Sequence, residues 1–320
     1  MHKRIRFLLK TLIPKKIRTA LAWSIHSTAQ ASNYWGNFQV TKEIYQKRVT
    51  GNPSLSWYTW KIQERSSPFG RVLAFGDGKG MAAEAALVRD NTIEVIYFNI
   101  SKGECQSFEQ LFSGHRFEFP YRCVIGDANN FDFTQLGTFD TIISVGTFHH
   151  FKKFERIFPQ LNQIMKPDGL LYADEFIGPS QWRYERKIID LINQYLTLLP
   201  EKLLLSRKPI IPEEFYELWK NNPDPSESIR SAELNEWLRK SFNVLESYPF
   251  NGTFLYPFFL TAQFNPQRLN IPAWHDTEVG QNELKKMAFK EDEWIASGRL
   301  PSHFMYYTLG KKWNGDQFPE

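Results

Sequence analysis

From Arg71 onward, short apolar runs alternate with stretches of helical period. Val72, Leu73 and Phe75 predict a strand over 71–75, which ends in three glycines on alternate positions, Gly76, Gly78 and Gly80. Alanine-rich sequence follows to about Val88 and reads as helix. Further strands are predicted at 93–99 (IEVIYFN), 122–125, 139–145 (FDTIISV) and 170–175 (LLYADE). Helices are expected around 105–112 and over 153–165, and Lys166-Pro167-Asp168-Gly169 reads as a turn before the fifth strand. Strands alternating with helices of this length predict a parallel sheet with right-handed crossovers.

The pattern changes after Gly178-Pro179-Ser180. Ile188, Leu191, Ile192 and Leu198 recur at helical spacing until Pro200, and four more prolines punctuate the chain to Pro225. This predicts a helical insertion over about 181–222, placed above the sheet as a cap. A helix over 226–242 follows, with Asp224 or Ser226 near its N-cap. A strand at 244–248, helices near 254–264 and 279–296, and a last strand at 303–309 (HFMYYTL) complete the expectation. Ahead of the sheet, Tyr34, Trp35, Phe38, Tyr45, Trp57, Tyr58 and Trp60 read as helices packed against it, with a turn at Gly51-Asn52-Pro53. Core packing is the plain use of such aromatics; a wall of a ligand pocket is the sharper one. The division expected is an N-terminal helical extension over 1–65 and one large domain over 66–320.

Composition narrows the class. With 42% hydrophobic and 23% charged residues over 320 positions, the chain can bury a sizeable core. The net charge of +4 gathers on no aromatic-interleaved basic stretch in the body, so nucleic acid is not the expected partner. The N-terminus differs: seven Lys and Arg residues from Lys3 to Arg18 precede the first acid, Glu43, with Leu8, Leu9, Leu12, Ile13 and Ile17 among them. Such a segment either lies on an anionic membrane surface or forms a solvated arm or docked helix, the plainer reading; Pro14 interrupts it. Its apolar run is too short for a secretory signal, and no run reaches the length of a membrane span. Cys105 and Cys123 give neither a disulfide framework nor metal spacing. A cytoplasmic protein is expected, with peripheral membrane association as a variant.

Four strand ends carry the chemistry: the glycine turn, Asn99-Ile100-Ser101, Gly126-Asp127-Ala128 and Gly146-Thr147-Phe148-His149-His150. All would lie on the carboxyl edge of a parallel sheet, where such folds bind ligands. With VLAFGDGKG, YFNIS, IGDA, FDTIISVGTFHHF and MKPDGLL, the chain resembles the class I S-adenosylmethionine-dependent methyltransferases over roughly 71–177. DEFIGPSQW (174–182), LLPE (198–201) and DPSESIRS (224–231) are similar to segments of an uncharacterised bacterial branch of that family. The resemblance implies an α/β fold, a doubly wound, mostly parallel seven-stranded Rossmann-like sheet, and S-adenosylmethionine as cofactor. It implies that the backbone of Gly76, Gly78 and Gly80 passes under the methionine and ribose, and that Asn99 and Ile100 meet the ribose. It further implies that Asp127 and Ala128 meet the adenine, and that Ser144 to Gly146 line the methionine. Asp127 also has a simpler use, as a turn-capping aspartate.

Two positions depart from the family. Asn99 stands where an acid usually accepts from both ribose hydroxyls, and Ala74 stands where many members place an acid near the cofactor's ammonium. Asp77 is the candidate replacement for the second. Methyl transfer needs alignment and water exclusion, and a base only where the acceptor carries a proton of high pKa. Glu175, His150 and His149 are the catalytic candidates, with Glu175 expected past the fifth strand, facing the insertion; packing or capping is the simpler use of the histidines. Arg230 is expected to bind an anionic substrate or to pair with Glu227 or Glu233 on its helix. The expected acceptor is a small or medium-sized molecule, a sugar or lipid-linked glycan. Two rivals stay open. One is a catalytically degenerate fold acting as a scaffold. The other is a dinucleotide oxidoreductase, since Gly78-x-Gly80-x-x-Ala83 satisfies the glycine fingerprint although its distal acid is missing.

Overall fold

The computed structural model of the chain describes residues 38–89, 91–264 and 267–313. The basic N-terminal segment lies outside them. Two helices open the described chain, α1 (Gln39–Thr50) and α2 (Trp57–Glu64), the second capped by Ser56, whose side chain accepts from the Thr59 amide. Then come β1 (Gly70–Gly76), α3 (Gly78–Arg89), β2 (Thr92–Asn99), α4 (Lys102–His115) and β3 (Tyr121–Ile125). β4 (Phe139–Val145), α5 (Phe154–Ile164) and β5 (Met165–Phe176) follow. The remainder comprises α6 (Arg186–Leu198), α7 (Pro212–Asn221), α8 (Ser231–Ser241), β6 (Asn243–Pro249), α9 (Leu255–Phe264), α10 (Ile271–Asp276), α11 (Glu278–Ala296) and β7 (Phe304–Gly310).

The seven strands form one sheet in the order β3-β2-β1-β4-β5-β7-β6, in which β7 alone runs against the others. The chain turns one way from β1 through β2 to β3, then crosses back to β4. The carboxyl ends of β1 and β4 therefore flank the switch point of a doubly wound sheet, where a crevice opens. Pleating sends alternate residues to opposite layers. Val72 and Ala74 pack with Met81 of α3 and Phe108 of α4, while Leu73 and Phe75 pack with Phe154, Ile157, Phe158 and Leu161 of α5. Those last four share one helix face at i, i+3, i+4 and i+7. Pro249 ends β6, an edge strand, where a missing amide costs no ladder bond.

Three expectations need correction. The Lys166-Pro167-Asp168-Gly169 turn is absorbed into a long β5 that begins at Met165, with a register irregularity opposite Phe139 and Thr141. The helix expected from 226 begins at Ser231; its N-cap is Arg230, without a side-chain cap bond, because Asp224 instead bonds the amide and hydroxyl of Ser226 to make a turn. The two cysteines do pair: a Cys105–Cys123 disulfide ties α4 to β3. Sequence spacing hides this because the partners come from different elements. Among the described residues no helix is long and apolar enough to cross a membrane.

The disulfide closes a loop of sequence separation 18. Cys123→Ser is expected to lower the unfolding free energy by about 3 kcal/mol in oxidising buffer and to have little effect under reductant, measured by urea denaturation. Equal stability of the two proteins in both buffers would show that the bond does not form.

Candidate functional site

A cavity of ≈ 360 Å³ opens at the switch point. Phe75 and Gly76 from β1, Phe98 and Asn99 from β2 and the following Ile100 form one side. Gly126, Asp127, Ala128, Asn129 and Asn130 form the next, after β3, and Thr147, His150, Phe151, Lys152 and Lys153 the third, after β4. Pro225, Ser226 and Ile229 close it from above. Six residues singled out in the sequence, Gly76, Asn99, Ile100, Asp127, Ala128 and His150, thus share one space. The covering residues come from 225–229 rather than from the insertion at 181–222, which supplies none of the lining.

The glycine turn is needed for different reasons along its length. Gly76 has φ +57°, and a Cβ there would lie 2.0 Å from Thr147 Oγ1 and 2.4 Å from the Val145 carbonyl oxygen. That position therefore rejects any side chain. At Gly78 a Cβ would come within 2.9 Å of the Ile143 carbonyl oxygen on β4, so its glycine serves packing of α3 on the sheet. Nothing lies within 4 Å of a Cβ built at Gly80. Neither Gly78 nor Gly80 lines the cavity.

Asn99 is held by its neighbours. Its Nδ2 donates to Tyr97 Oη at 2.7 Å, and its Oδ1 accepts from the Ser101 amide at 2.9 Å. Tyr97 Oη in turn donates towards Glu104 at 3.5 Å, and Glu104 pairs with Lys79. Asp127 does cap its turn: Oδ1 accepts from the amide and side chain of Asn129, and Oδ2 from Asn130 Nδ2. A carboxylate offers about four acceptor sites, so this turn leaves capacity on the cavity side.

On the other face of the sheet edge, Asp77 follows β1 and Asp174 lies on β5. Register places Gly76 beside Val145 and Val145 beside Asp174, so Asp174 shares the face of Ala74 and Tyr172. Its Oδ2 accepts from Trp57 Nε1 at 2.8 Å. Burial, together with the charges of Glu175 and Asp77, raises its carboxyl pKa to about 7. Tyr58 and Tyr45 lie close enough that the charge of Asp174 adds to the rise of their own pKa values.

Glu175 corrects the sequence reading. It lies inside β5, fully buried, and faces away from the insertion. Its Oε1 accepts from Ser144 Oγ at 2.7 Å, from the Thr147 amide at 3.1 Å and from the Phe148 amide at 2.9 Å. Its Oε2 lies 2.9 Å from His149 Nδ1. Burial alone would raise this carboxyl, but the donors outweigh it and hold the pKa below the ordinary value. Glu175 is thus a positioning group for the loop from Gly146 to His150, and Ser144 is spent on it rather than on the cavity. Gly146 lies outside the lining as well, its amide bonded to the Asp174 carbonyl at 2.8 Å.

The His149 and His150 rings lie with centroids 4.3 Å apart and their planes tilted by 38°. His150 Nδ1 is 3.2 Å from both Asp224 Oδ2 and Ser226 Oγ. Burial would lower the His150 pKa, yet Glu227 and Asp224 overcome it and raise it to about 9. Asp224 and Glu227 escaped the sequence reading, which offered the first, with Ser226, as a helix cap and the second, with Glu233, as a partner for Arg230. Arg230 in fact pairs with Glu155 at 2.9 Å and Glu233 at 2.6 Å, which leaves Glu227 facing the histidines. The signal that could have found them is the run of polar residues in DPSESIRS between two prolines and a helix.

Residues 73–173 match the family model described as a methyltransferase domain. A comparison with curated protein sequences returns no significant match. Among solved structures, the chain is similar to the cyclopropane synthase MmaA2 from Mycobacterium tuberculosis, at 14% identity and TM-score 0.51 over 94% of this chain and 100% of that one. The mycolic acid cyclopropane synthase CmaA1 is similar at the same identity and TM-score, over 94% of this chain and 99% of the other. At this identity the likeness is one of fold.

Replacing the buried carboxylate tests the account of the loop. Glu175→Ala strands two amides, a hydroxyl and an imidazole, and is expected to cost about 3 kcal/mol in urea denaturation. A loss below about 1 kcal/mol would show that the loop does not depend on it.

Proposed function

Proceeding from a chain that carries a class I S-adenosylmethionine-dependent methyltransferase domain, we propose that it methylates a hydroxyl of a small or medium-sized acceptor such as a sugar or glycan. The observation that carries this reading is the single cavity shared by Gly76, Asn99, Asp127 and His150. Its adenosine end fits the cofactor: Phe98, Ile100 and Ala128 give apolar walls, and Asn99 and Asp127 give acceptors at the edge. CmaA1, similar in fold, was solved in complex with SAH. When bound, S-adenosylmethionine supplies an electrophilic methyl group on a sulfonium.

The chain's own residues divide the remaining work. Asp127 would accept from the adenine amine, and the second lone pair of Asn99 Oδ1 from a ribose hydroxyl. Asp77 and Asp174 would face the ammonium of the methionine part, which supplies the charge that Ala74 lacks. The Gly76 turn brings bare backbone to the sulfonium. Beyond Thr147 the cavity presents His150, Asn129, Asn130, Lys152, Lys153 and Ser226. That set of donors and acceptors suits a polyhydroxylated molecule, and residues 225–229 shield it from water.

Calorimetry on the full chain tests the reading. S-adenosylmethionine is expected to bind and NAD not to bind, and Asp127→Ala is expected to weaken the cofactor by about 10-fold or more through loss of a charged hydrogen bond. Binding of NAD alone, or of neither, would overturn it. Methylation of only protein or nucleic acid in an acceptor screen would overturn the acceptor class.

A pH series tests the ammonium end. The free Asp174 carboxyl titrates near pH 7, and an ammonium favours its ionised form. Binding below that pH must therefore expel a proton, so cofactor affinity is expected to rise between about pH 6 and pH 8. Asp174→Asn is expected to flatten the rise. The same rise in the variant would place the ammonium elsewhere.

A further inference from the structure

We propose that His149, His150 and Glu227 form a binding site for one divalent transition-metal cation of the zinc type, beside the cavity that His150 lines. One ligand atom from each lies within 4.8 Å of the other two. His149 Nε2 is 3.9 Å from Glu227 Oε1, and His150 Nε2 is 3.8 Å from Glu227 Oε2. Both distances are too long for hydrogen bonds. They run to the two different oxygens of Glu227 and are close to the separation of two atoms that each sit about 2.0–2.2 Å from a shared ion, about 3.3 Å at a tetrahedral angle and at most about 4.4 Å. The 4.8 Å bound of the cluster is slightly wider, so the three side chains draw in when a cation binds.

The surrounding groups prepare the rings. Metal-bound imidazoles commonly give their other nitrogen to a carboxylate, which fixes the tautomer and orientation. Here Glu175 takes Nδ1 of His149 at 2.9 Å and Asp224 takes Nδ1 of His150 at 3.2 Å. Each ring therefore turns Nε2 towards Glu227. The cluster is not a surface one, since both histidine side chains are 10% exposed and that of Glu227 is 19% exposed.

Glu227 sits on a loop that is tied down. Trp219 Nε1 donates to its carbonyl at 2.5 Å, the Gln181 amide donates to the Ser228 carbonyl at 2.7 Å, and Ser231 Oγ bonds the Gly178 carbonyl. Ser228 holds φ +47°, a conformation unusual for serine, and its hydroxyl donates to Glu227 Oε1 at 2.6 Å. The GPS segment after β5 and the DPSESIRS segment thus serve one purpose, to carry a carboxylate to two histidines.

Two imidazoles and one carboxylate suit zinc, iron, cobalt or copper, and do not suit magnesium or calcium, which take oxygen. Three protein ligands leave at least one coordination position. His150 lines the cavity, so the site borders the space in which an acceptor oxygen would be held. This last point rests on the hydroxyl-acceptor reading above; the cation site does not.

The test uses the full chain, stripped with a chelator and titrated with zinc chloride, and separately with magnesium chloride, by calorimetry. One equivalent of zinc is expected to bind, with magnesium at least about 100-fold weaker. Glu227→Gln is expected to weaken zinc by about 10-fold or more, and Asp224→Asn by about 10- to 100-fold. Cobalt added to the stripped protein is expected to give the intense visible absorption of a four-coordinate nitrogen and oxygen site, and His150→Ala to remove it. Binding of less than about half an equivalent of zinc, equal affinity for magnesium, or unchanged zinc affinity in a folded Glu227→Gln protein would overturn the proposal. If the chain binds S-adenosylmethionine but no zinc, the cation site alone falls. Zinc binding without cofactor binding supports the site and removes the methyltransfer reading.

Discussion

The arrangement depends on one buried carboxylate. Glu175 sits in the sheet with no access to water, where an ionised group costs several kcal/mol unless it is fully bonded. The loop after β4 meets that requirement by folding its amides back onto β5. In doing so it places Thr147 so close to β1 that residue 76 must be glycine, and it presents His149 and His150 to the segment at 224–229. The bare backbone at Gly76 and the His150 imidazole, both in the cavity lining, are consequences of satisfying the same carboxylate.

The departures from the family pattern have local causes. An acid at position 99 would face Tyr97 Oη and stand near Glu104, so two carboxylates would compete for one phenol proton. Asparagine avoids this because it brings a donor for the phenol oxygen and keeps an acceptor for the Ser101 amide. Ala74 is fully buried on the face shared with Tyr172, and a carboxylate, Asp174, stands on that same face on β5. Neither substitution by itself signals loss of cofactor binding.

Much of the fold was legible because it rests on local periodicity. The apolar runs gave strands β1 to β4 to within a residue or so, and the glycine turn, Asn99 and Asp127 all fall at strand ends, as the alternation of strands and helices requires. What was illegible is what tertiary contact decides. The turn before β5 is written in residues that normally end a strand, yet pairing with β4 carries them into it. Glu175 reads as an acid past the fifth strand that faces the insertion, until the pleat places it inward. Glu227 and Glu233 both read as helix partners for Arg230; Glu233 is one, and only the fold reveals that the second is Glu155, from a distant helix, and not Glu227. The cysteines follow the same logic, since their pairing depends on how α4 packs on β3.

Asp174 and Glu175 show how far environment outweighs residue type. They are neighbours on one strand, both carboxylic acids and both withdrawn from water, and their pKa values move in opposite directions. Burial pushes both up. Glu175 points to the face where two amides, a hydroxyl and an imidazole converge, and these donors overcome the penalty. Asp174 points to the other face, where Trp57 supplies one hydrogen bond and the nearest charges, Glu175 and Asp77, are both negative. The first carboxylate is complete within the protein and acts as structure. The second lacks a positive partner, and a group held in that condition is one that a cationic ligand can stabilise. The alternation of side chains along β5 thus gives one acid a full set of donors and leaves the next with the single bond from Trp57.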